Sequence, residues 1–356
     1  MLWFFLISLL LFAWAFALLV LDGPNLDYLD SDVEALGVER FPAHADDALA
    51  QQQFLSEIRA VRSAAAGTKS IKKGLALVRE FADNLSADLQ SDCEFISVVA
   101  DGVSCEWAIA PGADPKRRVI FLHGGAFLMG SPRGHRKYAH QLSHLAQAAV
   151  LSVDYRMLPE HRRIISSHDA QAAYRWLLAN GPDGASAPNW LLTAGDSAGG
   201  NLALMLSGWS KDIGLRKPDG VIAFSPNTDT TAAAPSYKEH RDSDLILGEG
   251  LGLITSLPRV LSLWLGALMM RCNPSDPLVS PLFGDLSNLA PTQIHASSNE
   301  MLLGDALRYT SKARAAGSPV QLQIWENQLH DWHLFNMGSS AANSAWQEVD
   351  RFIRSL

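Results

Sequence analysis

Apolar residues follow three different rhythms along this chain. From Met1 to Leu21 every side chain is uncharged and nearly all are apolar (MLWFFLISLLLFAWAFALLVL), with no polar face at any period. About 20 such residues in a helix cross the ~30 Å hydrocarbon core of a bilayer. The run stops at Asp22, and Asp27, Asp30, Asp32 and Glu34 follow. From 22 to about 90 the pattern becomes helical. Asp46-Asp47 opens a segment with Phe54, Ile58 and Val61 at helical spacing, broken by Gly67-Thr68. Ile71 to Leu85 carries Leu75, Val78 and Phe81 on one face.

Beyond residue 90, short apolar runs alternate with amphipathic ones. Phe95–Val99 and Cys105–Ile109 flank Asp101-Gly102, the signature of a tight hairpin. Val119–Leu122, Val150–Val153, Trp190–Ala194, Val221–Phe224, Thr292–Ala296 and Val320–Trp325 read as strands. Helical patterns cover Tyr138–Ala148, Asp169–Leu178, Ala198–Trp209, Leu302–Ala316 and Ala341–Ile353. Strands that are apolar throughout are buried on both faces, so the fold class is α/β with a mainly parallel central sheet covered by helices. Ligands in such sheets bind at the carboxyl ends of the strands.

Composition narrows the function. The chain has 356 residues, 48% hydrophobic and 19% charged, with a net charge of −8, and no basic stripe. A nucleic-acid partner is therefore not expected. Three cysteines, Cys93, Cys105 and Cys272, form no disulfide framework. They read as buried thiols, with Cys93 and Cys105 near enough across the hairpin to bridge in an oxidising compartment. The apolar start reads as a single membrane anchor. If cleaved as a signal segment, with Ala15-Phe16-Ala17 as a small-residue site, it leaves a secreted or periplasmic protein.

The chemistry is concentrated at strand ends. Gly195-Asp196-Ser197-Ala198-Gly199 lies directly between an apolar strand and a helix. A G-x-S-x-G turn there points the serine hydroxyl outward, and the helix start supplies free N–H groups beside developing negative charge. His123-Gly124-Gly125-Ala126-Phe127 follows the strand Val119–Leu122. Glycines let backbone N–H groups approach an oxyanion, so Gly124, Gly125 and Ala198 are the candidate donors. His123 reads as a loop-steadying residue. No G-K-[ST] or G-x-G-x-x-G loop occurs, no pair of the other histidines shows a metal-ligand pattern with the right neighbours in sequence, and neither cofactor nor metal is expected. His330, after the last strand, is the candidate base, and His333 begins the next segment. The remaining histidines read mostly as surface or capping residues.

These stretches, with G-S-P-R (130–133), V-D-Y-R-M-L-P-E-H (153–161), D-P-L-V-S-P-L (276–282) and H-D-W-H-L-F (330–335), make the chain resemble the hormone-sensitive lipase family of α/β-hydrolases, also called the GDXG family. The resemblance runs from about residue 93 to the end. It implies hydrolysis of a carboxylic ester through Ser197 and His330 without a cofactor. It also implies helical caps, from the lead-in (22–90) and from an insertion at about 229–273 in a hydrolase domain of 91–356. Two positions depart from the pattern. Ala126 stands where a third glycine is usual, though alanine keeps its N–H. Asn299 stands where the aspartate that supports the histidine is expected, and in such a triad Asp→Asn lowers turnover by about 10⁴. Three readings follow: Glu300 reaches in as a longer acid, Asp305 or Asp229 substitutes, or the chain is a weak pseudo-hydrolase that binds a small lipophilic or acidic ligand. The apolar cap and anchor suggest a lipophilic ester as substrate.

Overall fold

A computed structural model describes residues 2–30 and 36–356. Asp32 and Glu34 of the acidic stretch lie outside the described residues. The chain opens with α1 (Leu2–Phe16), continued by a wider π-type turn over Ala17–Leu21. Next come β1 (Glu39–Phe41), α2 (Asp47–Gly67) and α3 (Ile71–Asp83). The body follows with β2 (Glu94–Ala100), β3 (Val103–Ile109), β4 (Asp114–Leu122), α4 (Arg136–Ala146), β5 (Ala148–Val153), α5 (Arg163–Leu177), β6 (Trp190–Asp196), α6 (Ala198–Asp212) and β7 (Gly220–Phe224). After β7 come α7 (Ser236–Glu239), α8 (Gly248–Thr255) and α9 (Arg259–Met270). β8 (Thr292–Ser297), α10 (Leu303–Ala315), β9 (Val320–Trp325), α11 (Trp332–Phe335) and α12 (Ser340–Ser355) complete the chain.

The large sheet has nine strands in the order β1-β9-β8-β7-β6-β4-β5-β3-β2. All neighbours are parallel except β2–β3 and β3–β5. The β2–β3 hairpin turns at Asp101-Gly102, both at positive φ (49° and 83°), as a two-residue turn of this twist requires. Strand order reverses around β4: β5 lies on one side, and β6 to β9 succeed one another on the other. The two glycine-rich loops follow β4 and β6 at their carboxyl ends, the place where sheets of this kind bind ligands.

Why the central strands read as uniformly apolar is visible in β4. Val119 and Phe121 face one layer with Tyr138 and Leu142 of α4 and Val349 and Phe352 of α12. Ile120 and Leu122 face the other with Tyr174 of α5, Leu202 of α6 and Tyr309 of α10. Successive side chains therefore enter two cores.

Two expectations need correction. The lead-in is not wholly helical: β1 pairs in parallel with β9 at the sheet edge, with Phe41 stacked on Trp325 at 4.0 Å. Cys93 and Cys105 do not face each other. Cys105 is opposite Val98, and Cys93 precedes the strand start; both are free thiols. Of the histidines read as mostly surface or capping residues, His135 and His295 are buried, and His44, His140, His144, His161, His168 and His240 are not.

The acidic residues after the apolar run tie it to the body. Asp22 pairs with Arg259 at the start of α9, and Asp27 and Asp30 pair with the buried Arg308 of α10.

Candidate active site

β6 delivers Ser197 into a sharp turn with φ 51° and ψ −112°, a backbone region that L-residues occupy only under constraint. The Ser197 N–H donates to the Phe224 carbonyl at 2.7 Å, fixing the turn against the end of β7. Glycine is obligatory at its flanks. A Cβ on Gly199 would fall on the Leu122 carbonyl, and one on Gly195 on the Gly199 carbonyl.

His330 follows β9 and a short turn. Its Nε2 lies 2.8 Å from Ser197 Oγ, and its Nδ1 lies 2.8 Å from Glu300 Oε2. Glu300 is buried, and its other oxygen accepts the Ser297 N–H at 2.9 Å. Serine, imidazole and carboxylate thus form one buried hydrogen-bonded chain drawn from three strand ends.

Asn299, expected at the acid's place, is outside this chain. Its amide donates to Asn327 Oδ1 at 3.0 Å, away from the imidazole. The reason is local: β8 ends at Ser297, and the turn that caps Ser297 with Glu300 points residue 299 outward and residue 300 inward. Asp305 and Asp229 are also elsewhere. Asp305 Oδ2 accepts the N–H groups of Thr228 (2.7 Å) and Asp229 (2.9 Å), and Asp229 Oδ1 accepts the Thr231 N–H (2.8 Å). Both carboxyls shape the chain leaving β7, and burial raises the pKa of each.

In the glycine-rich loop after β4, one expected oxyanion donor is already engaged. The Gly124 N–H is committed to Asp196 Oδ1 at 3.0 Å. Among the described residues the N–H groups of Gly125 and Ala126 enter no hydrogen bond. The loop turns through positive φ at Gly125 (110°), Ala126 (54°) and Phe127 (58°). Its free donors are therefore Gly125 and Ala126, across from Ala198 at the first position of α6.

His123 steadies this loop. Its Nδ1 lies 2.8 Å from the Gly124 carbonyl, its ring stacks on Tyr155 at 4.2 Å, and Tyr155 donates to its carbonyl at 2.6 Å. Burial pushes its pKa down to about 3, so it is neutral and takes no proton at ordinary pH. His333 lies 2.9 Å from His295, and burial likewise holds both well below the ordinary imidazole value.

Three polar residues were not singled out in the sequence. Asp196 lies 3.4 Å from His135 Nε2 as well as holding Gly124. Burial disfavours the charged form of His135, and Asp196 outweighs that and raises its pKa. Asp331, at φ 56°, brings Oδ2 to 3.1 Å from His330 Nε2. Burial pushes Asp331 up to about 7, against the opposing pull of His330. Burial also disfavours a charged His330, but Asp331 and Glu300 together hold its pKa well above the ordinary value. Position inside G-D-S-A-G and H-D-W was the available signal for Asp196 and Asp331. Nothing in the sequence indicated that either carboxylate turns inward.

Comparison with known proteins agrees with the fold. A family model described as an α/β-hydrolase fold matches residues 119–334. An acetyl-hydrolase of Streptomyces hygroscopicus is 32% identical over 252 residues, 71% of this chain and 80% of that protein. The carboxylesterase/phospholipase LipF of Mycobacterium tuberculosis is 35% identical over 253 residues, 69% of this chain and 65% of its own length. A crystal structure of an esterase from the bacterial hormone-sensitive lipase family superposes with a TM-score of 0.71 at 29% identity, covering 85% of this chain and 98% of that one. The chain belongs to the α/β-hydrolase family, among relatives that are esterases of the hormone-sensitive lipase type. It is a carboxylic ester hydrolase.

Proposed function

We propose that the chain hydrolyses lipophilic carboxylic esters through a Ser197–His330–Glu300 triad and an acyl-enzyme. The observation that carries this reading is the unbroken chain Ser197 Oγ–His330–Glu300, 2.8 Å at each link. His330 Nε2 takes the hydroxyl proton as Ser197 Oγ attacks the ester carbonyl carbon. Glu300 accepts the Nδ1–H, fixes the tautomer and stabilises the imidazolium. The tetrahedral oxyanion lies against the N–H groups of Gly125, Ala126 and Ala198. His330 then protonates the leaving alkoxide, and Ser197 keeps the acyl group. Water, deprotonated by His330, attacks the acyl carbon; the bond from Ser197 Oγ to that carbon then breaks, His330 returns the proton to Oγ, and the acid leaves.

A glutamate supplies the charge that Asn299 cannot, so the acid position need not weaken the enzyme. The reading is tested by labelling with a fluorophosphonate and mapping the adduct by peptide mass spectrometry. Modification of Ser197 that is lost in His330→Ala supports it; an unlabelled Ser197 in a folded, ester-hydrolysing protein refutes it.

The same reading gives the two accessory regions a role. The lead-in and the insertion after β7 act as the cap. Arg62 of α2 reaches the Ile246 carbonyl and Glu249 of α8, and Phe54 and Leu55 pack with Ile246 and with Leu329 beside His330. The apolar start acts as a membrane anchor. Trp3–Leu21 is 19 residues with little of its surface buried, about 28 Å at 1.5 Å per residue. Its inner end packs on α9: Ala17 and Leu21 meet Leu263, and Phe16 stacks on Trp264 at 5.6 Å. Leu261, Leu268 and Met269 of α9 are exposed beside it. One apolar surface thus runs from the anchor onto the cap, which favours a substrate drawn from the lipid phase.

A further inference from the structure

A second cluster of reactive side chains lies at the far end of α4, on elements the ester chemistry does not use. His140 and His144 are one turn apart, so they share a helix face. Asp92 and Cys93 are consecutive, immediately before β2, and face that pair. One ligand atom from each residue lies within 4.8 Å of all the others. His140 Nδ1 is 3.5 Å from Cys93 Sγ and 3.9 Å from Asp92 Oδ1, and His144 Nε2 is 2.8 Å from Asp92 Oδ1.

We propose that Asp92, Cys93, His140 and His144 form a tetrahedral site for a zinc-class divalent cation, clamping α4 to the start of the edge strand β2. Zinc bonds of about 2.0–2.3 Å place neighbouring ligand atoms about 3.3–3.8 Å apart. The two His140 distances are already close to that range. The Asp92–His144 hydrogen bond is short of it, and Asp92 is exposed and free to draw back when an ion replaces the shared proton. Ser91 Oγ, 3.0 Å from His140 Nδ1, keeps its contact with the Cys93 N–H (3.1 Å) and yields the imidazole nitrogen to the ion. One thiolate, two imidazoles and one carboxylate suit zinc or cobalt, and not magnesium or calcium, which take oxygen ligands. The thiol proton of Cys93 leaves to solvent on binding. Gln90, Ser91, Asp92, His140 and His144 line an open surface hollow, so an ion has a route in. His135, which touches Asp196, is at the opposite end of the same helix; the clamp supports the fold and takes no part in the reaction.

The test uses the full chain in detergent, without a histidine tag, stripped with chelator and titrated with Co²⁺, then Zn²⁺. The proposal expects one equivalent of Co²⁺ bound with a thiolate-to-cobalt charge-transfer band, its displacement by Zn²⁺, and a higher Tm with Zn²⁺. Cys93→Ser should lose the band, and His144→Gln should weaken Co²⁺ binding roughly tenfold or more. Both variants should keep ester hydrolysis, which shows that they fold. Cys272→Ser should keep the band. No band in the unaltered chain, a band surviving Cys93→Ser, a band lost in Cys272→Ser, or unchanged affinity in His144→Gln would each overturn it.

Discussion

Glu300 and Asn299 are adjacent, yet only one of them faces the imidazole. Sequence position favours Asn299, because the asparagine aligns with the aspartate of the family pattern. The end of β8 decides otherwise, by turning one residue out and the next in. Substituting Asn299 with Asp should therefore leave kcat within about threefold of the unaltered enzyme, since the charge at Nδ1 is already supplied. Ser197 and His330 were legible because a G-x-S-x-G turn and a late histidine carry their geometry in sequence. The choice among Asn299, Glu300, Asp305 and Asp229 stayed open, with Glu300 among the alternatives, because which residue faces His330 is set by the hydrogen bond from Ser297 to Glu300 at the end of β8. Asp331 gives a pH prediction at the same scale. His330 must be neutral to act as base, and Asp331 helps hold its pKa up. The acid limb of kcat/KM should thus lie above the ordinary imidazole value of about 6.5. Asp331→Asn removes a negative charge facing the imidazolium, lowers that pKa and should move the limb to lower pH. A limb that stays in place or moves up would show that Asp331 does not act on His330.

At the scale of elements, the loop from His123 to Met129 shows how backbone geometry is spent on donors. Gly124 is held by Asp196, and that bond leaves Gly125 and Ala126 as the open pair. A Cβ on Gly125 would land on the Met129 carbonyl, and its φ of 110° suits no other residue. Gly125→Ala should lower kcat by about 10²-fold or more while the protein remains folded, as measured by ester hydrolysis alongside circular dichroism. The body strands and helices were readable because uniformly apolar strands and amphipathic helices differ in period. β1 was missed for a physical reason: Glu39, Arg40 and Phe41 form a three-residue edge strand, too short to have a period. The inward turn of Asp305 was equally unreadable, since its partners, the N–H groups of Thr228 and Asp229, are backbone atoms.

At the scale of the molecule, the apolar start is tied to the rest of the chain through its contacts with α9 and α10. The ion pairs Asp22–Arg259 and Asp30–Arg308 fix the inner end of the apolar helix to α9 and α10. That helix is therefore joined to α9, in the segment proposed as a cap, rather than hung from a free linker. The full chain should float with phospholipid vesicles and hydrolyse long-chain esters presented in them. Removal of residues 1–21 should abolish flotation and lower activity on vesicle-borne ester far more than on a short soluble ester. Equal losses on both substrates would mean that the segment serves folding alone.

On the proposed mechanism, Glu300 supports His330 in a working triad. That role is tested most directly by kcat for a short p-nitrophenyl ester in Glu300→Gln, with Ser197→Ala as the inactive reference. Glu300→Gln should lose about 10³-fold or more in kcat with KM little changed, because an amide keeps the shape and removes the charge. Turnover within a few-fold of the unaltered enzyme would contradict it.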